Sequence, residues 1–168
     1  MENVKILERI KAKFPEAVVA DQDCCGDLQV TVSNDAFIEV MQFLHDDEQL
    51  GFDLLIDILA IDNSARRRKP PRFEVVYVMI SMDSFDRLLV KLPVVEGEDV
   101  PTVTSIWQAA NWAEREVFDM MGIRFAGHPD LRRVLMWDDF EGYPQRKDFP
   151  LEGKDFDEKW DPDTIEVL

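Results

Sequence analysis

Two hydrophobic rhythms run along the first hundred residues. Val4, Ile6, Leu7, Ile10 and Phe14 share one side of a 3.6-residue wheel, so the spacing predicts a helix over residues 2–14, stopped before Pro15. "LQVTV" (28–32) then alternates as a half-buried strand does, and "AVVA" (17–20) is its expected partner across the Cys-Cys-Gly-Asp turn. Helical spacing returns with Phe37, Val40, Met41 and Leu44, a helix that Ser33 or Asn34 is placed to cap and that ends near Gly51. Three strands follow. "FDLLIDILAI" puts Phe52, Leu54, Ile56, Ile58 and Ala60 on one face, "RFEVVYVMI" is apolar on nearly both, and "DRLLVKL" inserts Leu88, Val90 and Leu92 while exposing Arg87, Leu89 and Lys91. Pro70, Pro71 and a basic island lie in the long hairpin connection between the first two.

The order helix, two strands, helix, three strands, helix predicts an α+β domain over residues 1–125, a mainly antiparallel sheet with helices packed on one face. From about Phe125 the periodicity fades, and Gly127, Pro129, Gly142, Pro144, Pro150, Gly153 and Pro162 punctuate the chain. Residues 126–168 therefore read as an extended, irregular C-terminal segment, too long without elements of its own to stand alone, that lies along another surface.

The last helix breaks the usual amphipathic rule. Over residues 112–121 the wheel gathers Arg115, Glu116 and Asp119 into one polar arc, with Arg115 and Asp119 four apart and able to pair, and Gly122 supplies the stop. Glu114 falls on the apolar side among Val117, Phe118 and Met121, while Trp112 sits in the charged arc, so the helix is expected to be buried on more than one side. A buried carboxylate must be paired or neutral. Arg132 and Arg133, returned by the turn at Gly127 and Pro129, are the available partners.

Three explanations stay open at this stage. The charges form an intrachain network that pins the segment to the domain, or they pair across a subunit interface, or Glu114, Glu116, Asp119 and His128 form an acid–base or hard-metal site. Against the third, there is no second nearby histidine, no H-E-x-x-H spacing, no nucleophile elbow and no glycine-rich phosphate loop. His45, at the end of the second helix, reads as a surface or helix-terminus residue, and Trp107, Trp112, Trp137 and Trp160 as core and interface anchors.

Charge narrows the partners. A net charge of −16 and an isoelectric point near 4.4 argue against nucleic acid or an anionic membrane surface. The acid is uneven: residues 1–64 hold fourteen Asp/Glu against four Lys/Arg, and seven acids follow from Glu152 onward, whereas Arg66, Arg67, Arg68, Lys69 and Arg72 form the basic island, read as solvated surface. The two cysteines, Cys24 and Cys25, are adjacent, too few for an iron–sulfur cluster and without C-x-x-C spacing, so a reducing compartment is expected. No apolar run approaches the roughly 18 residues of a spanning helix, so any membrane attachment would come through another chain.

"NWAEREVFDMMGIRFAGHPDLRRVLMWDDFEGYPQRKDFPL" nevertheless resembles the signature segment of the 30-kDa (C-type) subunit of respiratory complex I, the proton-pumping NADH:quinone oxidoreductase. "FDLLIDILAID", "RFEVVYVMIS" and "DRLLVKLPV" are similar to that family's strands, in the same order, and the likeness covers roughly residues 52–153. The resemblance implies a noncatalytic peripheral-arm subunit on the cytoplasmic side of an energy-transducing membrane. It implies no cofactor and no metal in this chain, with FMN and iron–sulfur clusters in partner subunits. The implied partners are the large quinone-site (D-type) subunit and neighbouring iron–sulfur subunits, on which residues 126–168 would dock, with no nucleic acid and no direct membrane insertion. Glu114, Arg115, Glu116, Asp119, Gly122, His128, Pro129, Asp130, Arg132, Arg133, Gly142, Arg146, Lys147 and Asp148 match the family motif and are expected as assembly or signature residues, none of them catalytic. Met121, Tyr143 and Gln145 depart from that motif. A homologous subunit of a ferredoxin-linked photosynthetic or hydrogenase-type complex, and a free-standing acid–base or metal enzyme, are the alternatives.

Overall fold

A computed structural model describes residues 3–65 and 71–153. Helix α1 (Asn3–Lys13) leads into β1 (Val18–Cys24) and β2 (Asp27–Val32); a 3₁₀ turn (Asn34–Ala36) precedes α2 (Phe37–Asp46). Strands β3 (Leu54–Asp62), β4 (Phe73–Ile80) and β5 (Arg87–Val94) follow, then a short β6 (Val100–Pro101), helix α3 (Ala110–Met121) and a short β7 (Phe125–Ala126). The predicted element order is the observed one, and the fold is α+β.

The main sheet runs β1-β2-β5-β4-β3, antiparallel at every junction except β2–β5, which is parallel. Because β5 returns beside β2 rather than beside β1, the first hairpin and the last three strands form one continuous sheet. Leu28 and Val30 of β2 pair in register with Leu88 and Val90 of β5, Val32 is buried beyond them, and Val75, Tyr77 and Met79 of β4 complete the same buried face. Ile6 and Ile10 of α1, Phe37, Val40, Met41 and Leu44 of α2, and Val117, Met120 and Met121 of α3 close over it as a single core. Each such side chain, once buried, contributes on the order of 2 kcal/mol of hydrophobic stabilisation.

The β1–β2 hairpin turns on two residues. Cys25 and Gly26, at φ +58° and +94°, lie between the paired Cys24 and Asp27, the two-positive-φ geometry that suits the twist of a hairpin.

Several local expectations are corrected. Leu54 and Ile56 do not share the inward face with Ile58: a bulge between Leu55 and Asp57 shifts the register, so Leu55 and Ile58 point inward while Leu54 and Ile56 are exposed. An extra residue reverses strand parity on one side of a bulge. Neither Ser33 nor Asn34 caps α2 with its side chain; a 3₁₀ turn leads into the helix, and the Asn34 amide instead donates to Glu98. That helix also stops at Asp46, with a turn carrying the chain on to Gly51. Val4 is exposed, while Ile6 and Ile10 are buried and Leu7 and Phe14 pack half-buried against the core.

Candidate functional site

Helix α3 ends where the irregular segment begins, and the chain has concentrated its buried charge there. Gly122 terminates the helix in the left-handed region at φ +70°, its N–H bonded to the Phe118 carbonyl. That conformation turns the chain into Phe125–Ala126, which pair in parallel with Val100–Pro101. From there residues 127–153 run back across the end of α3. Over this stretch the backbone has little regular structure and is held by side chains, as an irregular segment must be when no ladder supplies its partners.

Asp119 is the anchor. It is wholly buried, and its Oδ2 accepts the backbone N–H groups of Val134, Leu135 and Met136 at 3.0, 2.8 and 2.9 Å while Oδ1 accepts Nη1 of Arg133 at 2.6 Å. Burial pushes its carboxyl up, but the three N–H donors and the guanidinium outweigh burial and hold it below the ordinary aspartate value. Arg133 spends its remaining donors on the carbonyls of Asp119, Phe140 and Gly142. One buried ion pair thus fixes three separate points of the segment.

Arg115 does not pair with Asp119, as helical spacing predicts. Its guanidinium donates to the carbonyls of Arg132 and Arg133 and lies 4.7 Å from the Trp112 ring. Three aligned N–H groups and a closer guanidinium take Asp119 instead, and wheel geometry carries no information about a strand of irregular chain crossing the helix. His128 is a latch as well: Nδ1 accepts the Asp130 N–H at 3.0 Å, which leaves Nε2 to donate to the Asn111 carbonyl at 3.1 Å. Both ring nitrogens are occupied. Pro129, Asp130 and Arg132 are exposed, the last two paired with each other at 2.9 Å.

Further along, Arg146 lies between two rings, 4.5 Å from the centre of Tyr143 and 5.1 Å from that of Phe73. It donates to the Met121 carbonyl at 2.6 Å and pairs with Glu96 at 3.0 Å. Gly122 lies beneath this stack. A β-carbon there would come within 2.5 Å of the Tyr143 ring and 2.7 Å of the Arg146 guanidinium, so the glycine is required twice, for its φ and for the close approach.

A second clamp joins the segment to the β3–β4 hairpin. Buried Asp62 accepts the Lys147 N–H at 3.0 Å and the Ser64 N–H at 2.9 Å, with Arg72 at 3.4 Å. Burial raises its carboxyl, yet the Lys147 and Ser64 donors and Arg72 bring it down to about 2. Arg72 also pairs with Glu96 and Asp148, both at 2.7 Å. Arg72 is therefore the centre of a network and not the solvated residue expected of the basic island; residues 66–69 of that island lie outside the described residues.

Glu114 is fully buried, but not with Arg132 or Arg133 as predicted. Its Oε1 accepts the Val103 N–H at 2.8 Å, and its Oε2 meets the Thr102 hydroxyl at 2.5 Å. Burial drives its carboxyl up to about 7 against those two donors. Glu116, two residues on, is exposed, and so the pair that an acid–base mechanism would use is divided between core and solvent.

Nothing in the sequence pointed to Thr102, and the signal for Asp62 was only an acid ending an apolar strand. Among the described residues, no group of three or more His, Cys, Asp or Glu side chains is placed to hold a metal ion. The two thiols sit together at a hairpin tip, half-buried and exposed, a donor set that does not fit an iron–sulfur cluster. No described helix is long and apolar enough to cross a membrane.

The family model described as respiratory-chain NADH dehydrogenase, 30 Kd subunit, matches residues 30–155, which span the end of β2, the strands from β3 onward, α2, α3 and both clamps. The chain belongs to this 30-kDa subunit family. It is 43% identical over 152 residues to the C-type subunit of the NADH-quinone oxidoreductase of Roseiflexus sp. (strain RS-1), covering 90% of this chain and 86% of that relative. To the equivalent subunit of Geotalea uraniireducens it is 42% identical, with 92% of each covered, and to that of Hyphomonas neptunium 46%, with 86% and 70% covered. Among solved structures, a chain of the membrane-bound sulfane sulfur reductase, an archaeal respiratory membrane complex, superposes with a TM-score of 0.74 at 27% identity, covering 90% of this chain and 87% of that one. Membership accounts for most of the described chain, since the family match takes in the strands from β2 onward, α3 and the clamped segment.

Proposed function

We propose that this 30-kDa-family chain is a noncatalytic peripheral-arm subunit of a proton-pumping NADH:quinone oxidoreductase, in which electrons pass from NADH through FMN and iron–sulfur clusters in other subunits to quinone. Its work is to hold the large quinone-site (D-type) subunit and neighbouring iron–sulfur subunits together on the cytoplasmic side of the membrane, with residues 126–168 as the docking segment. The relatives' names and 40–46% identities support the complex.

The observation that carries the scaffold role is how the charged junction is used. Arg115, Asp119, Arg133 and Arg146 are bonded within the chain, and both nitrogens of His128 are engaged, so these groups build the shape of the segment. The clamped segment then presents apolar side chains to solvent: Leu135 is 55% exposed and Trp137 58%, and on α3 Trp112 is 65% exposed. Large aromatic residues held rigidly at a surface are the usual anchors of a protein interface. The homologous subunit of a ferredoxin-linked photosynthetic or hydrogenase-type complex is the second reading; that a 27%-identical chain belongs to a respiratory membrane complex named for sulfane sulfur reduction is what supports a complex of another kind.

The test separates assembly from chemistry. Trp137→Ala and Arg132→Glu change exposed side chains, and circular dichroism of the isolated chain checks that each variant folds; each is expected to lower the amount of intact complex recovered from mildly solubilised membranes, with NADH:quinone turnover per assembled complex unchanged. Normal assembly with slowed turnover would refute the scaffold reading. Activity with a donor other than NADH would favour the second.

A further inference from the structure

We propose that Glu114 is a proton-binding site of this subunit, exchanging its proton with solvent through the hydroxyls of Thr102 and Thr104. This goes beyond the scaffold role and does not depend on it.

The geometry isolates one carboxyl. Glu114 is wholly buried, yet no basic side chain among the described residues is bonded to it. Arg115, its neighbour on α3, turns to the carbonyls of Arg132 and Arg133, and the other buried acid of the helix, Asp119, has Arg133 to itself. From β4 the facing titratable group is Tyr77, whose phenol is fully buried without a hydrogen-bond partner and feels the Glu114 charge. From residues 102–104 the Thr102 hydroxyl and the Val103 N–H reach it, with the Thr104 hydroxyl bonded to Thr102 in turn, and His45, beyond Trp107, is held by Asp46. An uncompensated buried carboxylate is unfavourable, so a group in this setting takes up a proton at a pH where exposed glutamates remain ionised.

The proton has a place to sit and a way out. In the ionised form Thr102 Oγ1 donates to Oε2. In the neutral form the acid proton on Oε2 is donated to Thr102 Oγ1, which then donates to Thr104 Oγ1, 3.0 Å away. Reversing two hydroxyl rotors therefore satisfies both protonation states without moving the backbone. Thr104 in turn lines a surface cavity of about 480 Å³ with Ser105, Gln108 and Asn111. Each transfer moves one proton and breaks and forms one O–H bond, and water in the cavity is the terminal donor or acceptor.

Thr102 is bonded through its N–H to the Ala126 carbonyl, so the loop that receives the Glu114 side chain is tied to the start of the C-terminal segment. Proton loss charges the carboxylate beneath that attachment.

The test is infrared titration of the full chain carrying ¹³C-labelled glutamate. The expected result is one protonated-carboxyl band, titrating near pH 7, that disappears in Glu114→Gln and persists in Glu116→Gln. Thr102→Val should raise the midpoint, because the ionised form loses a donor, and Thr104→Val should leave the midpoint in place but slow the band's shift on transfer to heavy water. Absence of a protonated band in the unaltered chain at pH 6 overturns the site even if the Gln variant fails to fold. Exchange at the unaltered rate in Thr104→Val overturns the route.

Discussion

Replacing Asp119 with alanine removes four hydrogen bonds at once and leaves the half-buried Arg133 cation without its counter-charge. The guanidinium keeps the carbonyls of Phe140, Gly142 and residue 119, so it is not wholly deserted. Breaking a buried pair from one side costs about 3–5 kcal/mol, and each buried N–H left unpaired about 1–3 kcal/mol. Because a segment without regular structure can open and let water reach its N–H groups, the N–H penalty falls away and the lower end for the broken pair applies, about 3 kcal/mol. Urea unfolding followed by tryptophan fluorescence measures the total, and amide exchange at Val134, Leu135 and Met136 shows where it is lost. Removing both charges, with Arg133→Met added, should recover part of the loss, since a buried cation no longer lacks a partner. The acid limb gives a second check. The folded Asp119 carboxyl lies below its unfolded value, so its contribution is complete above about pH 4 and is lost as pH falls through the folded value. The variant should therefore unfold in acid with a shallower slope. A loss below about 1 kcal/mol, or unchanged protection of the three amides, would refute the claim that this carboxylate holds the segment.

Gly122→Ala should destabilise by about 2–3 kcal/mol, combining left-handed strain with collision against Tyr143, and Tyr143→Ala should relieve part of it; additive losses from the two changes would refute the contact. Asp62→Asn should cost about 2 kcal/mol at neutral pH, from a folded carboxyl at about 2, and the difference from the unaltered chain should vanish as stability measurements are carried down through that pH. Glu114→Gln should flatten the fall in stability that the unaltered chain shows as pH rises from about 4.5 to 7, the direction expected of an acid whose folded value lies above its unfolded one. Glu116→Gln, at an exposed site, should stay within about 0.5 kcal/mol of the unaltered chain in thermal unfolding.

Much of this protein is legible in its sequence because periodicity is a local property. The alternation of Leu28, Val30 and Val32 and of Leu88, Val90 and Leu92 marks buried strand faces, and these residues are buried. The stop at Gly122 follows from the same kind of local rule, as does the antiparallel pairing of β3 with β4 across a long connection. Even the burial of Glu114 was visible, from its position among apolar neighbours on the wheel. Partner choice was not. Arg115 and Asp119 have the right spacing to pair and do not, because residues 132–136, distant in sequence, bring carbonyls to one and N–H groups to the other. Thr102 and Val103 reach Glu114 through a two-residue strand pair too short to leave a pattern. The bulge at Leu55 to Asp57 turned the predicted inward residues Leu54 and Ile56 outward while Ile58 stayed buried, since one extra residue changes parity on one side and no composition announces it. Spacing along a chain determines which faces are apolar; which charged groups meet depends on irregular chain folding back over those faces, and that is decided only in three dimensions.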